Sequence, residues 1–443
     1  MKNSIYNLKF IVAIFAIAIS TNLVAQRAQI DNFRPYDKTG LNIFETPKDL
    51  NTTFDGLRLR IGGAFTQQFQ GLSHENTAFS DSTGVLNPLY PLGNGFNLAT
   101  ANLNIDVQLA DGVALNMVTY LSSRHHAEAW VKGGYIQFDK LPFIQSESID
   151  RLMEKLTIRI GHMEVNYGDA HFRRTDNGNA IYNPFVGNYI IDGFNTEIGG
   201  EVYYRNNGIL AMLGMTGGEI NGNVADLDPN DVGSTETDET LGRSPSIIGK
   251  LGYDKQINED FRLRVTGSMY YTASSSRNHI LDGDRGGSRY YLVMSEPGSR
   301  ASADFRTGRY NPNYGDEVSL FMGNVFLKYS GFELFGIVES GSGKNSTEAE
   351  SRNFTHIATD LLYRFGSNEN AYIGGRYNTV TADDISGSEV TINRFQLGAG
   401  WFLTDNILAK FEYVNQEYKD FAETSRFADG KFNGFMLEAV VAF

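Results

Sequence analysis

The twenty residues from Arg394 to Tyr413 read RFQLGAGW-FLTDN-ILAKFEY. In the first run Phe395, Leu397, Ala399 and Trp401 alternate with Arg394, Gln396 and Gly398. In the second, Ile407, Ala409, Phe411 and Tyr413 alternate with Lys410 and Glu412. A period of two is the strand signal, because successive side chains on a strand point to opposite faces. Leu403 to Asn406 supplies Asp and Asn for a tight reversal. The stretch therefore predicts a hairpin with one apolar, aromatic face and one charged face. A soluble sandwich would turn the apolar face inward, whereas a membrane barrel turns it out to lipid.

The same pattern recurs along the chain. Leu57, Leu59 and Ile61 alternate with Arg58 and Arg60, and Leu103 to Leu109 alternate with Asn102, Asn104, Asp106 and Gln108. Phe261, Leu263 and Val265 alternate with Arg262 and Arg264. Strands are predicted at about 57–70, 97–109, 113–123, 128–139, 155–166, 194–206, 208–217, 246–257, 260–273, 316–330, 331–340, 353–365, 370–381, 390–402, 406–418 and 431–443. Two arguments select the barrel. These strands are long for a sandwich, where about 5–6 residues is typical. Their connections also sort into tight Gly, Asn and Asp turns alternating with long loops, as in outer-membrane barrels. The expected fold is all-β: a transmembrane antiparallel β-barrel of 16 strands, with 18 as the alternative if Arg289 to Ser295 is a strand with a partner. The connection 140–154 is long for a turn, and Ser148 to Leu156 has room for a short helix.

The chain ends fit export to an outer membrane. Lys2 and Lys9 precede an apolar run, Phe10 to Ile19, and Leu23-Val24-Ala25 follows. This predicts a signal peptide over 1–25, too short in its apolar core to span a bilayer. Residues 26–56 show neither period and form a periplasmic N-terminal arm, either a flexible lead or a docking segment. The barrel itself is expected over 57–443. Phe435, Leu437, Ala439, Val441 and the final Phe443 alternate outward. The 443 residues contain no Cys, which excludes disulfides and thiolate chemistry, and a formal charge of -14 argues against nucleic acid.

A 16-strand barrel is wide enough for a water-filled channel, whose selectivity comes from its charged lining. Alternation assigns to the pore lining Arg58, Arg60, Asp106, Arg159, Glu197, Arg205, Arg262, Arg264, Arg364, Arg376, Arg394, Lys410 and Glu412. Glu201, Lys250, Asp254 and Asp360 fall on the same face. Arginine suits two-pronged binding of carboxylate or phosphate. Segment 167–193 reads as a constriction loop carrying Arg173, Arg174 and Asp176, with Gly161 and Gly168 permitting bends.

Leu156 to Asn177, with Asn183-Pro184-Phe185 and Glu197 to Val202 nearby, resembles the phosphate-selective porin O/P-like family in its Bacteroidetes-type form. The resemblance implies a sixteen-stranded outer-membrane porin of a Gram-negative bacterium, embedded in outer-membrane lipid. It also implies a homotrimer and passive diffusion of small hydrophilic solutes or ions, with an anion preference. The acidic total charge and the lack of a dense basic ladder depart from strongly anion-selective members.

Catalytic patterns do not emerge. None of the seven histidines has the spacing of a helical zinc pair, so no metal and no cofactor is expected. Gly341 to Ser346 lacks the first glycine and the Ser/Thr of a phosphate loop and reads as a loop tip. The acidic stretch Asp226 to Glu239 lacks the glycine and glutamate of a calcium loop. The competing reading is a non-transport barrel, its lumen plugged by loops, acting as a scaffold, an adhesin or an accessory subunit of a secretion or assembly complex.

Overall fold

The computed structural model describes residues 29–79, 88–97, 100–121, 129–175, 179–218, 244–275, 277–282 and 289–443. The predicted signal peptide, His125, His126, Asp176 and the acidic stretch 226–239 lie outside the described residues. Seventeen strands form one sheet: β1 (Arg58–Glu75), β2 (Gly95–Phe96), β3 (Thr100–Ala110), β4 (Val113–Leu121), β5 (Ala129–Phe138), β6 (Leu156–Glu164), β7 (Thr196–Asn206), β8 (Ile209–Thr216), β9 (Ser246–Gln256), β10 (Phe261–Thr272), β11 (Glu317–Tyr329), β12 (Phe332–Lys344), β13 (Arg352–Phe365), β14 (Ala371–Asp383), β15 (Glu389–Thr404), β16 (Ile407–Lys419) and β17 (Lys431–Ala442).

All pairings are antiparallel between chain neighbours, and β1 closes the ring by pairing with both β3 and β17. The two-residue β2 only extends that seam, through Phe69 opposite Phe96. Sixteen strands therefore build a closed barrel, and the eighteen-strand alternative fails. Arg289 to Ser295 forms turns rather than a strand, inside the long connection between β10 and β11.

The barrel is inside-out relative to a soluble protein. Leu59 is 50% exposed and Leu251 69%, while Arg394 and Glu412 are fully buried. Apolar residues thus face outward and charged residues inward, the opposite of a water-facing sheet. Aromatic pairs cluster near both rims: Phe332 with Tyr363 at one, Phe69 with Phe435 at the other. One rim, the turn end, carries the short connections and the start of β1. Its exception is the connection from β5 to β6, which holds the short helix Glu147–Met153. The other rim, the loop end, carries the long connections.

Two strands run further than their apolar pattern. β1 continues to Glu75, and β12 continues through Gly341 to Lys344, whose partners are Leu320 to Glu317. Gly341 to Lys344 is therefore strand, not loop tip; glycines and serines carry no apolar alternation, but their backbone groups still pair with β11.

Candidate functional site

The lumen is the candidate site, and among the described residues three segments of the chain occupy it. The first is the connection 165–195 between β6 and β7. Gly161 lies at φ +145° and Gly168 at φ +66°, backbone states that side chains disfavour. They turn the chain inward, and from Val165 to Asn195 nearly every described residue is buried. The segment then crosses to the far wall as a strap. Tyr189 donates its hydroxyl to Asp360 at 3.0 Å, and the Ile190 N–H donates to Asn378. Glu412 accepts the N–H groups of Val186 (2.7 Å) and Gly187 (3.2 Å). Arg376 donates to the Gly187 carbonyl and Arg394 to that of Asn188.

The second segment is the connection between β10 and β11, entering from the loop end. Arg289 pairs with Glu438 at 2.9 Å, and Tyr290 donates to Glu412 at 2.6 Å. Tyr291 and Gln70 exchange hydrogen bonds between backbone and side chain. This segment also bonds the strap directly, Tyr310 N–H to Ile190 carbonyl.

The third is the N-terminal arm, which lies across the turn end. Asp31 pairs with Arg58 at 2.8 Å, and Tyr36 donates to Asp106 at 2.8 Å. Lys38 reaches Asn368 and Asp405 in two other turns of the same rim. Asn42 then donates to Glu333, Glu45 pairs with Arg264 (2.7 Å) and Lys250 (3.1 Å), and Lys48 donates to the carbonyls of Asp139 and Leu156. Phe44 packs edge-on against Phe172 of the strap and Phe326 of the wall. The arm is thus an ordered circuit of the mouth.

The predicted lining residues lie on the inner wall, but most hold these insertions rather than facing open solvent. Arg60 pairs with Asp106, and Arg262 grips Asp254 with two nitrogens. Arg264 grips Asp169 of the strap in the same way, and Arg364 does so with Glu333. Arg376 binds Asp360 and Lys410 binds Glu438. Arg205 donates to the Thr46 carbonyl of the arm. Glu197 accepts from Tyr270, Thr216 and Asn195. Arg159 differs: it donates to Gln137 at 2.9 Å and lies over the rings of Tyr135 and Tyr203, none of them a carboxylate.

Arg173 and Arg174 both sit within the lumen and are 1% exposed. Arg174 grips Asp192 in the same strap, while Arg173 donates to Asn42 and lies 3.7 Å from Glu333. Asp176 lies outside the described residues.

Several partners carry no label in the pattern. Alternation with Phe332 and Leu437 could have placed Glu333 and Glu438 inward. Glu45, Asp192 and Tyr290 lie in aperiodic segments with no such signal.

Burial alone would raise the carboxyl pKa of Glu45, but Arg264 and Lys250 beside it hold it well below the usual carboxylate range. Asp169 is lowered for the same reason, burial being outweighed by the same two cations. Burial draws the Lys48 ammonium down to about 8. Among the described residues no group of His, Asp and Glu side chains has the arrangement of a metal site.

Two cavities border the arm. An inner one of about 200 Å³ is lined by Arg34, Tyr36, Asp106, Arg159, His162 and Glu164. An outer one of about 520 Å³ at the turn end is lined by Pro47, Lys48, Arg205, Asp254 and Arg262.

No family model matches the sequence, and no curated protein matches it. Solved structures match its fold. An anion-selective porin from Comamonas acidovorans aligns over 88% of this chain and 100% of its own, at 10% identity and TM-score 0.50. The outer membrane channel DcaP of Acinetobacter baumannii covers 88% and 99% at 11% identity, TM-score 0.47. The trimer form of OmpT, an outer membrane protein of Vibrio cholerae, covers 88% and 100% at 10% identity, TM-score 0.47. At these identities the likeness is one of architecture: a porin-type barrel.

Proposed function

We propose that this chain is an outer-membrane porin of a Gram-negative bacterium, passing small hydrophilic solutes without catalysis, its turn end facing the periplasm. The observation that carries the reading is the inverted wall: an apolar belt outside and a dense set of arginines and carboxylates inside. A lipid-facing barrel has no other use for a charged interior of this extent unless it handles polar matter or holds polar cargo.

The strap and the arm restrict passage to small solutes through the two cavities. Arg159, with Arg34 and Lys132 near it in the inner cavity, favours anions there. Membership of the phosphate-selective O/P-like family, and a homotrimer, follow from the resemblance in Leu156 to Asn177. The second reading, a scaffold or accessory barrel, is favoured by the extent to which the three insertions fill the lumen.

Single-channel conductance in a planar bilayer under a salt gradient separates the two. The porin reading expects small stable steps with a reversal potential on the anion side. Silence from a folded, heat-modifiable barrel selects the scaffold.

A further inference from the structure

We infer that the arm segment Ile43 to Lys48 is a gate at the turn end of the lumen, latched by Glu45; the inference deepens the porin reading and rests on it for the direction of flow. The inner and outer cavities share two lining residues, Phe44 and Glu45. Those side chains are therefore the partition between them. On the inner side Thr46 also lines the cavity, and on the outer side Pro47 and Lys48 do.

The partition is held by charge rather than by covalent continuity with the wall. Glu45 pairs with Arg264 and Lys250, which also hold Asp169 of the strap. Phe44 fills the space between Phe172 and Phe326. If Glu45 leaves, Asp169 and Asp254 still neutralise the two cations, so the wall and strap have a stable arrangement without the arm. Beyond Glu45 the segment's hydrogen bonds to the wall run through neutral carbonyls, those of Asp139 and Leu156 for Lys48 and that of Thr46 for Arg205, and the chain that follows is exposed. Residues 49–51 and 53–55 are exposed, and Asp55 makes only a long contact of 3.7 Å with Arg58. An ion pair that closes a passage beside an exposed stretch of chain has the form of a hinged gate.

The test uses access, which is independent of conduction. The chain has no Cys, so Val118→Cys places a single thiol on the inner cavity wall. A negatively charged methanethiosulfonate is applied in a short pulse to whole cells of a strain without other general porins, which expose the loop end alone, and to outer-membrane fragments, which expose both ends. With the native arm the two labelling rates should match. With Glu45→Gln the fragment rate should exceed the whole-cell rate at least tenfold. Phe44→Ala, which keeps the ion pairs, should give a smaller excess. Equal rates for fragments and cells in Glu45→Gln overturn the gate. Conductance recorded on the same proteins keeps the two ideas apart: a rise in labelling with silent bilayers sinks the porin reading and leaves the gate standing. Heat-modifiable migration confirms that each variant folds.

Discussion

Glu412 Oε2 lies 2.7 Å from the backbone nitrogen of Val186, a residue 226 positions earlier in the chain. The same carboxylate accepts from Gly187, Tyr290 and Gln396, so one wall residue joins the strap, the loop-end insertion and the adjoining strand. The lumen is organised around such junctions. Arg264 is the counterpart near the turn end, joining strap, arm and wall.

Glu412→Ala should undock the middle of the strap. Two buried N–H groups lose their acceptor, each costing about 1–3 kcal/mol. Hydrogen exchange at Val186 and Gly187 should then accelerate by roughly tenfold to a few hundredfold, at about 1.4 kcal/mol per decade. The β1–β17 amides should keep their protection. Unchanged exchange at those two amides would show that the strap stands without Glu412.

Gly187→Ala tests the contact between the two loop insertions. A methyl group there overlaps the Tyr290 phenol ring. Overpacking of this kind costs about 1–3 kcal/mol. We expect faster exchange in both 179–195 and 289–294 from this single change, with heat-modifiable migration intact. Loosening of one segment alone would mean the insertions dock independently.

Arg159 and Arg174 should behave oppositely when replaced by Ala. Arg159 donates to Gln137 and Tyr203 rather than gripping a carboxylate, so its loss lowers the anion-to-cation permeability ratio and leaves the strap docked. Arg174 is consumed by Asp192, with Arg309 at 3.8 Å its nearest substitute. Breaking that buried pair costs on the order of 3–5 kcal/mol and should expose 165–195 to protease. Reversal potentials and limited proteolysis measured on both variants decide the assignment.

The arm should respond to pH in two separate windows. Glu45 has a folded pKa below its unfolded value, so its contribution to docking is complete above about 4.5 and is lost as pH falls through the folded value. Lys48 has a folded pKa of about 8 against an ordinary value of 10.5. Its buried charge opposes docking below pH 8, and that opposition fades as pH rises from 8 to 10.5. Exchange of amides 41–49, corrected for intrinsic rate, should be flat from pH 5 to 7.5, faster below 4, and slower between 8 and 10. Lys48→Met should abolish the upper change and leave the lower one.

The wall was legible and most of its contents were not, for a physical reason. Each strand carries an apolar face against a charged one, so Arg394 to Tyr413 declares its own geometry. The predicted boundaries of β9 and β16 fall within one residue of those observed. The helix Glu147–Met153 could be placed from the room between β5 and β6. Inserted segments have no such periodicity, because they are surrounded on all sides. Tyr290 and Glu45 are identified only by the wall residues they meet, and those partners lie more than a hundred positions away. Gly161 and Gly168 gave the local hints, a residue type that permits the inward turn the strap takes.

The ring closes where β1 meets β17, from Ala64 opposite Ala442 to Glu75 opposite Lys431. The strap is bonded to β10, β12, β13, β14 and β16, and Glu438 of β17 itself holds Arg289 of the second insertion. Closure is thereby coupled to filling. Glu438 belongs to the strand that seals the ring and also to the cargo's anchorage, so each event strengthens the other. An empty cylinder is held shut by its backbone ladder alone, whereas this one is also cinched from within.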